Sequence, residues 1–116
     1  MNEPTKTDQK KLIRLLGYLQ TTRLLKYHLT PAQPLSVVSY IDAAFATHDD
    51  SKSHSGVTIF VAGMLVYASS KKQTCVTKSP TESELVALTA NIGLVELFEE
   101  FITFLIKDKI PTPVIY

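Results

Sequence analysis

Cysteine is nearly missing from this sequence: Cys75 stands alone among 116 residues and cannot close an internal disulfide, so the fold has to rest on a buried core. Its neighbours are strand-like, which reads the thiol as an inert, small apolar group, and a reducing intracellular setting is expected. An excess of charge is missing as well. Twelve basic and eleven acidic residues leave a formal charge of +1, which excludes the global field that draws a chain onto nucleic acid, so any such surface is local. No apolar run approaches the ~18 residues of a membrane span, and the opening MNEPTKTDQK is too polar for a signal peptide. A soluble domain with no membrane partner is expected. Internal repeats and low-complexity segments are also absent.

What is present has the length and the 45% apolar share of one globular domain. Thr7 is a candidate N-cap for a first helix whose Leu12, Leu15, Leu16 and Leu19 recur at i, i+3, i+4 and i+7, so it is expected to pack by one face. Lys10, Lys11 and Arg14 fall on or near the other face, as a solvated flank or as phosphate contacts. Arg23 to Leu29 reads as a short strand, and Thr30 to Pro34, with two prolines, as a linker. The chain therefore divides into residues 1–34 and residues 35–116.

Val37 to Ala44 is a β-rich run carrying Asp42 near its end. A polar loop, THDDSKSHS from Thr47, leads to the run from Gly56 to Ala62; Gly63 and Met64 make a tight connection to Leu65–Ser70. Two strands so closely linked form an antiparallel hairpin, and with the Asp42 strand they make a three-stranded meander. In the loop, Asp49 and Asp50 read as turn residues, and His48 and His54 as surface histidines or as groups that help a product leave.

Lys71, Lys72 and Lys78 flank the polar segment that leads into SPTESELVAL. There Ser79 reads as an N-cap, Pro80 as the first helical residue and Glu82 as the returning half of a capping box. Glu84 is left without a capping role, beside a stripe of Leu85, Leu88 and Ile92 that is expected to be buried. It is either a solvated flank or a ligand at the rim of a buried face. Asn91 to Gly93 weakens the helix by about 1 kcal/mol at the glycine, and Leu94, Leu97, Phe98, Phe101, Ile102 and Leu105 define a second or kinked continuation. Phe104 and Ile106 lie off that stripe and fit burial on two sides or a wide core face. Asp108 is a charge at the helix end. Val114 to Tyr116 looks like the opening of a strand that a crossover can lay parallel to the first, and the chain reads as ending within that element.

Four blocks, YIDA at Tyr40, KSHSG at Lys52, SSKKQ at Ser69 and TESE at Thr81, stand in an order and spacing that resemble the RNase H domain of copia-type retrotransposon polyproteins. KKLIRLLGYLQTTR from Lys10 is similar to the helix that connects this domain to the preceding reverse transcriptase. The resemblance implies an α/β RNase H-like fold with a mixed sheet: three antiparallel strands, then helices, then a strand parallel to the first. It matches Asp42 and Glu84 to the family's catalytic, metal-binding carboxylates. It places the next one, the Asp of an Asp-Asn pair, beyond Tyr116.

It further implies two Mg²⁺ ions that cut the RNA strand of an RNA/DNA hybrid, with Lys71, Lys72 and Lys78 as candidate phosphate contacts and the reverse transcriptase domain as a partner. No small-molecule substrate is implied. The setting would be cytoplasmic, in a virus-like particle, with access to the nucleus. The chain departs from the family at Ala44, Phe45 and Thr47, where Asp, Trp and Gly are usual, at Pro80 for Ser, and at Leu85 for an aromatic residue. With two of the carboxylates in hand, the 116 residues are expected to be inactive alone. A non-catalytic nucleic-acid-binding or interaction remnant of a retroelement is the competing reading, and an unrelated α/β domain with structural acids is a third.

Overall fold

The structure is a computed structural model that describes residues 3–31 and 34–116. Its elements run α1 (Lys6–Thr22), β1 (Val37–Ala44), β2 (His54–Val61), β3 (Met64–Lys72), α2 (Pro80–Ile106) and β4 (Val114–Ile115). The four strands form one mixed sheet in the order β3-β2-β1-β4, with β4 parallel to β1 through Val38 and Val114 and through Ser39 and Ile115. The architecture is mixed α/β. The three-stranded meander and the parallel fourth strand agree with the order expected from the sequence.

The β2–β3 hairpin turns through Ala62 (φ 50°) and Gly63 (φ 79°), the positive-φ pair that matches the twist of two-residue hairpins. Period-two alternation puts Val57, Ile59 and Val61 of β2 on one face with Val37 of β1, and α2 closes that face with Val95. Ile41, Tyr67, Leu94, Phe98, Ile102, Ile110 and Ile115 pack around this core. The other face of the sheet is uncovered among the described residues. On it Tyr40 lies edge-on to Phe60 at 5.8 Å and stacks on Tyr116 at 5.3 Å.

Several local expectations are corrected. The first helix is capped by Thr5 and not by Thr7, because Asp8 stands three residues after Thr5 and closes a full capping box: the Thr5 N–H and hydroxyl donate to its carboxylate at 2.9 and 2.7 Å, and its N–H donates back at 3.2 Å. The leucine stripe is periodic as read, yet α1 packs against no other element among the described residues, and Leu12, Leu15, Leu16 and Leu19 are each more than half exposed. A radius of gyration of 18.0 Å, against about 13 Å for a compact chain of this length, reflects that projection. Arg23 to Leu29 forms no strand. The segment is held at Tyr27, whose hydroxyl accepts from the Leu65 N–H at 2.7 Å. The boundary expected at residue 34 adjoins residues 32–33, which lie outside the described residues.

One helix, not two, follows the meander. α2 runs 27 residues without a break at Gly93, since burial of Ala87 and Val95 on either side outweighs the ~1 kcal/mol propensity cost. Its buried face is also not the expected one. Ser83 and Ala87, both fully buried, meet the sheet where the helix begins, while Leu85 and Ile92 are exposed; close approach of helix to strand admits only small side chains there. Leu97, Phe101, Phe104, Leu105 and Ile106 are exposed too, so the second side of the helix has no cover among the described residues. Cys75 sits in an exposed bend, outside any strand.

Candidate functional site

Asp42 lies in the last half of β1, opposite Gly56 of β2. Because Ile41 faces α2, alternation turns Asp42 to the uncovered side. There it lines an open cavity of about 490 Å³ with Tyr40, Gly56, Thr58, Ala68 and Ser70. Gly56 contributes no side chain between Asp42 and Ser70, and this gap makes the cavity. The carboxylate is exposed, and among the described residues it forms neither an ion pair nor a side-chain hydrogen bond.

Glu84 is likewise exposed, on the second turn of α2, and lines a different cavity of about 570 Å³ with Ile41, Leu85, Leu88, Ile92, Ile115 and Tyr116. The stripe expected in the core therefore forms the wall of a groove with Glu84 at its mouth. Ser79 caps α2 as read, accepting from the Glu82 N–H at 3.2 Å, but the Glu82 carboxylate accepts from the N–H of Lys78 at 2.6 Å in place of that of Ser79.

The two carboxylates are hard oxygen donors of the kind Mg²⁺ takes. They open, however, on separate cavities, and among the described residues no group of three or more His, Cys, Asp or Glu side chains could hold a metal ion. The donor chemistry fits Mg²⁺, but the set does not fit a two-ion site.

The three lysines separate. Lys71 and Lys72 belong to the end of β3 and not to a loop, so they point to opposite faces. Both border a cavity of about 220 Å³ under α2. Lys72 is held by Asp50 at 2.7 Å, and Asp50 also reaches Lys52 at 3.7 Å. The bond to Lys72 holds the Asp50 carboxyl below its ordinary range. Lys78 is exposed just before α2. Asp108 accepts from the Lys109 N–H beyond the helix end.

Sequence reasoning missed a polar frame. Gln73 is 6% exposed, and its side-chain amide donates at 2.9 Å both to the Ser55 hydroxyl and to the Ser83 carbonyl. Ser53, fully buried, accepts from the Ala46 N–H at 3.1 Å and pairs with the Thr77 hydroxyl at 2.8 Å. Ser53 and Ser55 come from the KSHSG block, Gln73 from SSKKQ, and Ser83 from the TESE block that carries Glu84. The signal was the recurrence of Ser, Thr and Gln in blocks that face a core. A second array was also missed: His48 Nε2 meets His54 Nδ1 at 2.9 Å, and His54 Nε2 meets the Ser70 hydroxyl at 2.7 Å.

No family model matches the chain. A secreted RxLR effector protein of Plasmopara viticola, numbered 161, is 37% identical over 89 residues, which are 76% of this chain and 63% of that protein. The chain thus spans less than two thirds of the length of the curated relative it matches. The catalytic domain of human endonuclease V is similar over 84% of this chain and 43% of its own, at 17% identity and a TM-score of 0.36. A likeness that low carries no argument about fold or activity.

Proposed function

We propose that the chain is an RNase H-type domain of a copia-like retroelement polyprotein that engages RNA/DNA hybrids inside the cell, and that the 116 residues bind without cutting. The observation that carries this reading is the topology, an antiparallel meander with a fourth strand returned parallel beside β1, which is the order that the resemblance implies. Asp42 and Glu84 are the residues that the resemblance matches to Mg²⁺ ligands, and as a pair they fall short of a two-ion site, which fits binding without cutting. Neither is spent in an ion pair among the described residues. Their separate cavities support the inactive form of the reading.

Binding would rest on phosphate and 2′-hydroxyl contacts, with little sequence preference. Lys71 and Lys78 are the stronger phosphate contacts, because Lys72 is already occupied by Asp50. The uncovered leucine stripe of α1 is the surface assigned to the reverse transcriptase domain. The test is a binding titration of the chain against RNA/DNA hybrid, duplex DNA and duplex RNA at two salt concentrations with Mg²⁺ present. The expected result is preferential, salt-sensitive binding to hybrid and no cleavage above a protein-free control. Equal affinity for all three duplexes would remove the RNase H reading.

A second reading, an effector that acts by binding, is favoured by the likeness to the Plasmopara viticola protein. It predicts no preference for hybrid.

A further inference from the structure

The histidine array ends at a hydroxyl in the open cavity, and no function given above uses it. Ser70 lies on β3 opposite Gly56, and His54 lies on β2 opposite Lys72. The 2.7 Å contact from the Ser70 hydroxyl to His54 Nε2 thus joins neighbouring strands across one register step. His54 Nδ1 is then engaged by His48 Nε2 at 2.9 Å, with ring centroids 5.1 Å apart, so the facing nitrogens lie between the rings. With the Ser70 hydroxyl donating to His54 Nε2, the N–H of His54 sits on Nδ1 and donates to His48. A nucleophile touches a base, and the base is oriented by a third group. Loop geometry fixes His48 in that place: its N–H donates to the Lys52 carbonyl at 3.2 Å, and its carbonyl accepts from the Ser51 N–H at 2.8 Å.

We infer that Ser70 is an activated nucleophile, with His54 as its general base and His48 as the residue that positions His54, and that the cavity accepts an ester of a neutral or cationic alcohol. In the step, the Ser70 Oγ–acyl bond forms and the acyl–alkoxy bond breaks. The hydroxyl proton passes to His54 Nε2 and then to the departing alkoxide. Water deacylates Ser70 by the same route in reverse order. The cavity sets the charge preference. The Asp42 carboxylate on its wall repels anionic acyl donors and attracts a cationic group.

The full chain is treated with a fluorophosphonate probe, which forms a Ser Oγ–P bond and expels fluoride, and the modified residue is located by mass spectrometry. Labelling is expected at Ser70 and absent in Ser70→Ala. In His54→Gln, folded by circular dichroism, it should slow by about 100-fold or more, the contribution of a positioned base. His48→Gln should move the pH profile of labelling while leaving the labelled residue the same. With acetylcholine and an anionic oxygen ester of similar size, the cationic ester should turn over faster, and Asp42→Asn should shrink that ratio. Labelling spread over surface serines, a His54→Gln rate equal to that of the parent, or no labelling beyond that of the unfolded chain would each overturn the assignment. None of these readouts depends on binding to RNA/DNA hybrid.

Discussion

The side-chain amide of Gln73 donates to the backbone carbonyl of Ser83 at 2.9 Å, and the peptide unit so held is the one that leads into Glu84. A residue after the last long strand thereby fixes the first turn of the helix that carries a candidate ligand. The same amide also donates to Ser55, so strand, hairpin and helix meet at one group. Its carbonyl oxygen, Oε1, is buried with no partner among the described residues.

Gln73→Ala should therefore destabilise the fold by about 1–3 kcal/mol, since it leaves the buried Ser83 carbonyl without its side-chain donor. Chemical denaturation would show the loss as a lower midpoint with an unchanged slope. An unaltered midpoint would mean that the helix start is held by other contacts.

Ile59 and Leu16 offer a contrast in what apolar residues do here. Ile59 is 0% exposed and Leu16 is 54% exposed. Ile59→Ala should cost about 2–5 kcal/mol, whereas Leu16→Gln should stay within about 0.5 kcal/mol. Thermal melts of the two variants would check this, and a large loss for Leu16→Gln would mean that α1 is covered in solution.

Gly93→Ala should raise stability by up to about 1 kcal/mol. The position is helical, and nothing lies within 4 Å of where the new Cβ would sit. A lower melting temperature would show that α2 is not continuous there.

Asp50 ties the loop after β1 to Lys72, and the bond lowers its folded pKa below that of the unfolded chain. A depressed carboxylate pKa contributes stability that is present above the unfolded value of about 3.9 and is lost as pH falls through the folded value. The contribution of this exposed pair is small. Asp50→Asn should therefore lower the melting temperature slightly at neutral pH and match the parent once the carboxylate is protonated, below about pH 4, so that the two curves of melting temperature against pH converge in acid.

Asp42 and Glu84 are both exposed and have no ion-pair partner among the described residues, so Asp42→Asn and Glu84→Gln should each leave the melting temperature within about 2 °C. Under the RNase H reading, each should abolish Mg²⁺-dependent cutting in any longer form of the chain that cuts. A variant that kept near-parental rates there would remove its residue from the site.

Local chemistry made much of this molecule legible. Period-two runs marked β1, β2 and β3, the Gly63–Met64 link announced the hairpin although its turn falls one residue earlier at Ala62 and Gly63, Ser79 and Pro80 marked the start of α2, and Val114 was placed beside the first strand. Spacing along the chain could not say which stripe of α2 meets the sheet. Leu85, Leu88 and Ile92 carry the larger hydrophobic signal, yet Ser83 and Ala87 are the residues small enough to let the helix approach. Nor could spacing show that the leucines of α1 lack a neighbour among the described residues, because periodicity records an amphipathic surface and not what covers it. Asp42 and Glu84 were identifiable as acids without a local task. Their separation into two cavities depends on strand alternation, helix rotation and the packing that joins them, which are properties of the assembled sheet and helix and of no segment alone.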